Sequence, residues 1–143
     1  MTEPPALITH PEYRRHFTFP GHPERPERLA AIESLLRRTA LWEACEHPTP
    51  EPVDDDALAR VHTRAYIRRV HELAAGGGGS LDADTPVAPV SDGVARRAAG
   101  GALLAVDTVI RRKAGVAAAL VRPPGHHAGS GEGRGFCIFN NAA

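Results

Sequence analysis

A chain of 143 residues, 42% hydrophobic and 24% charged, is long enough for one domain with a real core, burying roughly 70% of the surface its unfolded form exposes. Lys+Arg and Asp+Glu both number 17, so no overall field draws it to nucleic acid or an anionic membrane, and ligand preference must come from a local site. Cys45 and Cys137 form no CxxC pair, which excludes a disulfide framework and a thiolate zinc site.

The start, Met1-Thr-Glu-Pro-Pro, has neither the basic nor the apolar region of a secretory signal, and no apolar run reaches ~18 residues. The expectation is a reduced, cytoplasmic protein with no membrane span. Residues Ala6 to Thr9 read as a short strand. Gly21-His-Pro-Glu-Arg-Pro-Glu-Arg28 is punctuation and helix start together, with Pro26 suited to a first helical turn where its missing N–H costs nothing. Leu29, Ile32 and Leu36 then predict a helix to about Arg38 that buries one stripe. Pro48, Pro50 and Pro52 end whatever Trp42 to Glu46 forms.

Asp54-Asp55-Asp56 places acid at the start of a short helix, Ala57 to His62. Thr63 can cap the next helix, in which Tyr66, Ile67, Val70, Leu73 and Ala74 share a face. Gly76 to Gly79 with Ser80 reads as a mobile loop because four glycines carry a large ordering entropy. Pro86 and Pro89 keep the next stretch extended. Ser91 reads as the cap of a long Ala-rich helix to about Lys113, weakened but not broken by Gly100 and Gly101. Gly115 closes it, and Val116 to Val121 reads as a strand buried on both faces, the mark of a parallel sheet covered by helices.

Pro123 to Gly135 is a glycine-rich loop holding His126 and His127, followed by the apolar segment Phe136 to Phe139. There are no internal repeats. A parallel sheet of this kind needs more strands than the three or four candidates here, so the sequence predicts part of a larger α/β domain.

Eight histidines is a high count for this length. Two of them adjoin in a loop just past a buried strand, where open α/β sheets place their sites. A pair of imidazoles can offer one neutral base and one charged partner near neutral pH; the alternative is two solvated loop side chains. His10, His16, His22, His47, His62 and His71 read as surface or helix-face residues without chemistry. Gly129 to Gly135 lacks the Gly-Lys-Ser/Thr of a phosphate loop, and Ser130 lacks the flanking glycines of a nucleophile elbow.

Three blocks settle more than the spacing does. Arg122-Pro-Pro-Gly-His-His-Ala128, continued by Gly135-Phe-Cys-Ile-Phe-Asn-Asn-Ala-Ala143, closely resembles the active-site segment of histone deacetylases and their bacterial amidohydrolase relatives. Gly21 to Leu29 resembles the family's first loop and helix, and Asp82-Ala-Asp-Thr-Pro86 its rim loop. The blocks fall in family order and cover nearly the whole chain. The bacterial class II-like branch looks closest, beside the acetoin-utilisation and acetylpolyamine amidohydrolase branches.

The resemblance implies an arginase-like α/β fold, a parallel sheet flanked by helices, of which residues 1–143 would be the N-terminal part of a single deacetylase domain. It implies a zinc-dependent hydrolase acting on acetylated lysine, an acetylpolyamine or a small acylated amine. By carry-over, His127 is the general base and acid, and His126 its hydrogen-bonding companion. Gly135 offers its carbonyl to the substrate amide, Phe136 walls the acyl-lysine channel, Asp84 binds the substrate backbone from the rim, and Arg28 lies beneath the site near the acetate exit. Without the family, Phe136 reads equally as core, Asp84 as a turn residue and Arg28 as a surface arginine.

The family's zinc ligands, an Asp-x-His pair and a further aspartate, follow the di-histidine loop and do not occur here. The expectation is therefore Zn2+ in the full-length protein, no metal ligand in this chain, and no activity from the chain alone. The competing expectation is a short non-catalytic protein that uses a relic site to bind acyl-lysine or a partner.

Overall fold

The structure is a computed structural model that describes residues 3–112 and 115–143. Its first strand, β1 (Ala6–Ile8), is buried along its whole length. It pairs in parallel with a strand far along the chain, Ala117–Ala119, with Ala6 opposite Ala117 and Ile8 opposite Ala119. Its other edge is used too: Leu7 N–H donates to Glu46 O at 2.8 Å, and Glu46 N–H donates to Pro5 O at 2.9 Å. With backbone partners on both sides, β1 is an inner strand, and its unbroken apolar run is what such a position needs.

The helices begin where the side chains say. In α1 (Glu27–Arg38), Pro26 stands at the cap, but the apolar stripe is buried only at its start: Leu29 is 5% exposed and Ile32 39%. A short α2 (Asp55–Leu58) is capped by Asp54, whose carboxylate accepts the Ala57 amide at 2.8 Å. The helix thus starts inside the acidic run rather than after it, because an aspartate one residue earlier satisfies an amide that would otherwise face water alone. For α3 (Arg64–Ala75), Thr63 Oγ1 accepts the Tyr66 amide at 3.2 Å, and Tyr66, Ile67, Val70 and Ala74 are buried on one face.

The glycine run is only half a loop. Gly79–Ser80 forms β2, paired antiparallel with β3 (Pro86–Val87), so the expected mobile loop is corrected to a hairpin arm. Backbone pairing offsets part of the ordering entropy that the glycines carry. The hairpin holds the rim segment Asp82–Thr85 at its tip, where Leu81 N–H donates to Thr85 O at 2.9 Å.

The long helix α4 (Ser91–Arg112) lies between two apolar clusters. Val94 and Ala98 face Tyr13 and Leu29, while Ala95 and Ala99 face Leu58, Tyr66, Val70, Ile138 and Phe139. Alanines on both sides let it approach closely. Gly100 and Gly101 have a packing reason: a Cβ at 100 would collide with the Glu51 carbonyl, and one at 101 would come within 2.8 Å of Tyr13 Oη. Ser91 is the first residue of this helix. Its hydroxyl accepts the Ala88 amide at 2.8 Å and so reaches backwards from the helix. The expected end at Lys113 lies outside the described residues.

The last strand, β4 (Ala117–Ala119), departs from expectation. Ala118 is exposed, Ala117 and Ala119 are half-buried, and Val116 is 58% exposed, so the strand is not buried on both faces. Among the described residues its one named strand partner is β1, and α4 packs against it. The apolar segment Phe136 to Phe139 makes no strand; it is irregular chain, half-buried at Phe136 and buried from Cys137 on, with an antiparallel bridge between Arg134 and Cys137. Among the described residues, no helix is long and apolar enough to cross a membrane.

Candidate active site

The loop after β4 brings both histidines to one cleft. The rings of His126 and His127 lie 4.2 Å apart between centroids, inclined by 50°. Both side chains are exposed, and both line an open cleft of ≈ 530 Å³ whose other walls are Pro23, Glu24, Arg28, Pro124, Gly135 and Phe136. Five of the six sequence-predicted site residues therefore meet in one place. The sixth, Asp84, is exposed at the hairpin tip.

Each cleft residue is held by its neighbours. Gly135 has φ +56, and a Cβ there would come within 3.0 Å of the His127 ring, so only glycine leaves the imidazole its position. Phe136 has φ +71, a left-handed conformation that costs a bulky residue strain and marks functional sites more often than other places. Two contacts hold it: its N–H donates to Thr85 Oγ1 at 3.1 Å, and its ring lies edge-on to His22 at 4.7 Å. Cys137 is fully buried. Its sulfur accepts the His127 amide at 3.4 Å and lies 3.3 Å from the Gly135 carbonyl, to which the thiol donates. Burial pushes the thiol's pKa up, although the His127 and Ala128 amides pull it back, so it remains a thiol at neutral pH.

Arg28, which the resemblance puts beneath the site, stands at the cleft's wall with 56% of its side chain exposed, 3.6 Å from Glu24. The interior arginine is Arg122, 1% exposed. Its Nε and Nη2 donate to the two oxygens of Glu24 at 2.6 and 2.8 Å, and Nη1 donates to Tyr13 O at 2.7 Å. A fully desolvated guanidinium needs this forked carboxylate to persist. The pair ties the residue just before the histidine loop to the Gly21–Leu29 segment, across 98 residues of chain.

Three of the histidines expected at the surface or on a helix face are buried. His16 is 2% exposed, with Nδ1 2.7 Å from Ser91 Oγ and Nε2 3.9 Å from Glu24. Burial, helped by the Arg122 charge and opposed by Glu24, lowers its pKa to about 4, so at neutral pH it is an uncharged partner of the pair. His22 is 1% exposed and bonded at both nitrogens. His62 is 3% exposed; Nε2 accepts the Asn140 amide at 2.9 Å, and burial depresses its pKa against the opposing pull of the Ser130 and Gly129 backbone. A neutral imidazole is half apolar and can be buried where polar neighbours meet it: His22 is bonded at both nitrogens, whereas His16 and His62 have one hydrogen bond each and His62 Nδ1 has none. A signal existed in Arg122, a charged residue between the apolar run Val116 to Val121 and Pro123-Pro124 that would need a carboxylate if buried.

Zinc, which the resemblance implies, requires three or four ligands at tetrahedral spacing. Among the described residues, no group of three or more His, Cys, Asp or Glu side chains could hold a metal ion. These residues alone do not fit the metal.

Known proteins resemble this chain over most of its length. The sequence profile of the histone deacetylase domain fits residues 22–143. An uncharacterized protein of Synechocystis is 45% identical over 141 residues, covering 96% of this chain and 46% of that protein. A histone deacetylase-like amidohydrolase of Pseudomonas aeruginosa is 41% identical over 123 residues, 86% of this chain and 32% of that protein. The crystal structure of the HDA15 HD domain superposes with a TM-score of 0.90 at 31% identity, over 96% of this chain and 41% of that one. The chain spans less than half the length of each. It belongs to the histone deacetylase family, and over the stretch it spans it has that family's arginase-like α/β fold.

Proposed function

We propose that these residues are the N-terminal part of a single deacetylase domain, and that the whole domain is a zinc-dependent hydrolase of acyl groups on lysine or a related amine. The observation that carries this reading is the pairing of His126 and His127 over one cleft that Phe136, Pro23 and Pro124 also wall. The apolar walls suit a methylene stem, and the imidazoles suit the amide at its end.

In this reading His127 takes the proton of the attacking water and returns one to the leaving amine, with His126 as its electrostatic and hydrogen-bonding companion. The Gly135 carbonyl accepts the substrate amide N–H. One of its lone pairs already meets the Cys137 thiol, and the other remains for a ligand. Asp84 accepts hydrogen bonds from the substrate backbone at the rim. Arg28 gives the cleft a second guanidinium beside one carboxylate, Glu24, and the resulting excess of positive charge favours an anionic product such as acetate. When bound, zinc would polarise the acyl carbonyl and acidify the water; its ligands would come from outside the residues described.

The test is acetate release from an acetyl-lysine peptide, an acetylated polyamine and a small acetylated amine. Zinc-loaded full-length protein is expected to turn over at least one, and the 143-residue chain none. Turnover by the short chain, or none by the full-length protein, contradicts the proposal.

A further inference from the structure

We infer that His22 is a positioning residue of the cleft: one buried ring holds the rim residue Asp84 and the wall residue Phe136 at a fixed separation. It thereby decides how tightly a substrate with a backbone around its acylated amine is held. The inference rests on the deacylase reading for what the cleft binds, but the positioning itself rests on geometry alone.

The ring is 1% exposed, and all of its polar capacity is spent. Nε2 lies 2.9 Å from the Asp84 carbonyl, which can only accept, so this bond is made by the tautomer with its proton on Nε2. Nδ1 lies 3.0 Å from the Glu24 amide and 2.9 Å from the Glu24 carbonyl, and in that tautomer it accepts from the amide. The ring contacts Phe19 at 4.6 Å and Phe136 at 4.7 Å, both near edge-on, at 80° and 71°. One side chain therefore joins the Gly21–Leu29 segment, the hairpin tip and the chain after the histidine loop.

These contacts close a circuit. His22 donates to Asp84, Asp84 adjoins Thr85, the fully buried Thr85 accepts the Phe136 amide at 3.1 Å, and Phe136 packs back on His22. The circuit holds Phe136 in its left-handed conformation, which a free chain would abandon. Asp84 itself is exposed, and its local support is the Asp82 carboxylate, which accepts its amide at 3.1 Å. Without the His22 bond, the rim is anchored by its own hairpin and by the Thr85–Phe136 bond alone. In the deacylase reading Asp84 binds the substrate backbone, which a small acylated amine lacks, so the loss falls selectively on peptide binding.

The experiment compares full-length wild type with His22→Phe, which keeps a ring and loses both hydrogen bonds, and His22→Gln, which restores a donor near the Nε2 position. For an acetyl-lysine peptide, His22→Phe is expected to raise KM about tenfold, the scale of one lost buried hydrogen bond, with kcat changed less than about threefold. KM for a small acetylated amine stays within about twofold, and His22→Gln recovers most of the peptide loss. In parallel, amide hydrogen exchange at residues 82–85 and 136 is expected to rise about tenfold in His22→Phe and less in His22→Gln. Equal KM losses on both substrates, a loss confined to kcat, or unchanged exchange at these amides overturns the inference. If no acyl amine is turned over, the deacylase reading falls, and the exchange result alone decides the role of His22. The exchange result also decides it if only the small amine is turned over.

Discussion

Two arginines approach the same carboxylate in opposite ways. Arg122, beneath the cleft, meets Glu24 through a fork of 2.6 and 2.8 Å at 1% exposure, while Arg28, at its mouth, comes to 3.6 Å with 56% of its side chain in solvent. Beneath the cleft, charge is stripped of water and persists only because every atom is matched; at the mouth, charge keeps its hydration and remains available to a ligand. The floor is built for rigidity, and the mouth is left open to solvent.

The largest effect that could break this comparison is on the floor. Arg122→Met strands a buried carboxylate and is expected to cost about 3–5 kcal/mol in urea denaturation, whereas Arg28→Ala costs under about 1 kcal/mol. Similar losses for both would erase the distinction. Replacing the pair together, Glu24→Leu with Arg122→Met, is expected to recover much of the loss, because an apolar pair has no unmatched charge.

Next is the pH dependence of the same floor. His16 has a pKa of about 4 in the folded protein against 6.5 unfolded, so between these values the unfolded chain binds a proton that the folded one refuses. Stability therefore falls as pH drops from about 6.5 to about 4, by about 3 kcal/mol from this group. His16→Gln, which cannot titrate, is expected to flatten that segment of the stability–pH curve. An unchanged slope would mean the ring is already charged or solvated.

Smaller effects separate crowded from open glycines along α4. Gly100→Ala pushes a methyl into the Glu51 carbonyl and is expected to cost about 1–3 kcal/mol. Gly93→Ala, with nothing within 4 Å of the new methyl, is expected to stabilise by about 0.5–1 kcal/mol. Thermal denaturation of both variants reads the difference in sign.

What could be read in advance follows from how far each interaction reaches along the chain. The cap and apolar face of α3 are local, set by Thr63 and the spacing of Tyr66, Ile67, Val70 and Ala74, and they were legible. The di-histidine motif was legible as letters, and the structure adds that both rings share a cleft with Gly135 and Phe136. The pairing of Glu24 with Arg122, of His16 with Ser91 and of His22 with Asp84 spans 62 to 98 residues, and no periodicity encodes such partners. The hairpin that orders half of the glycine run was hidden for the same reason: its partner, Pro86–Val87, looked merely extended. Partial exposure of β4 was misread because an apolar run shows what a strand could bury, not what covers it.

The most direct measurement takes the comparison to function, in zinc-loaded full-length protein carrying His127→Ala. Removing a general base at the open mouth is expected to lower kcat for the best acyl amine by about 10²–10⁴-fold while the thermal midpoint stays within about 2 °C of wild type. A kcat loss below about threefold would contradict the assignment of His127 as the group that moves the proton.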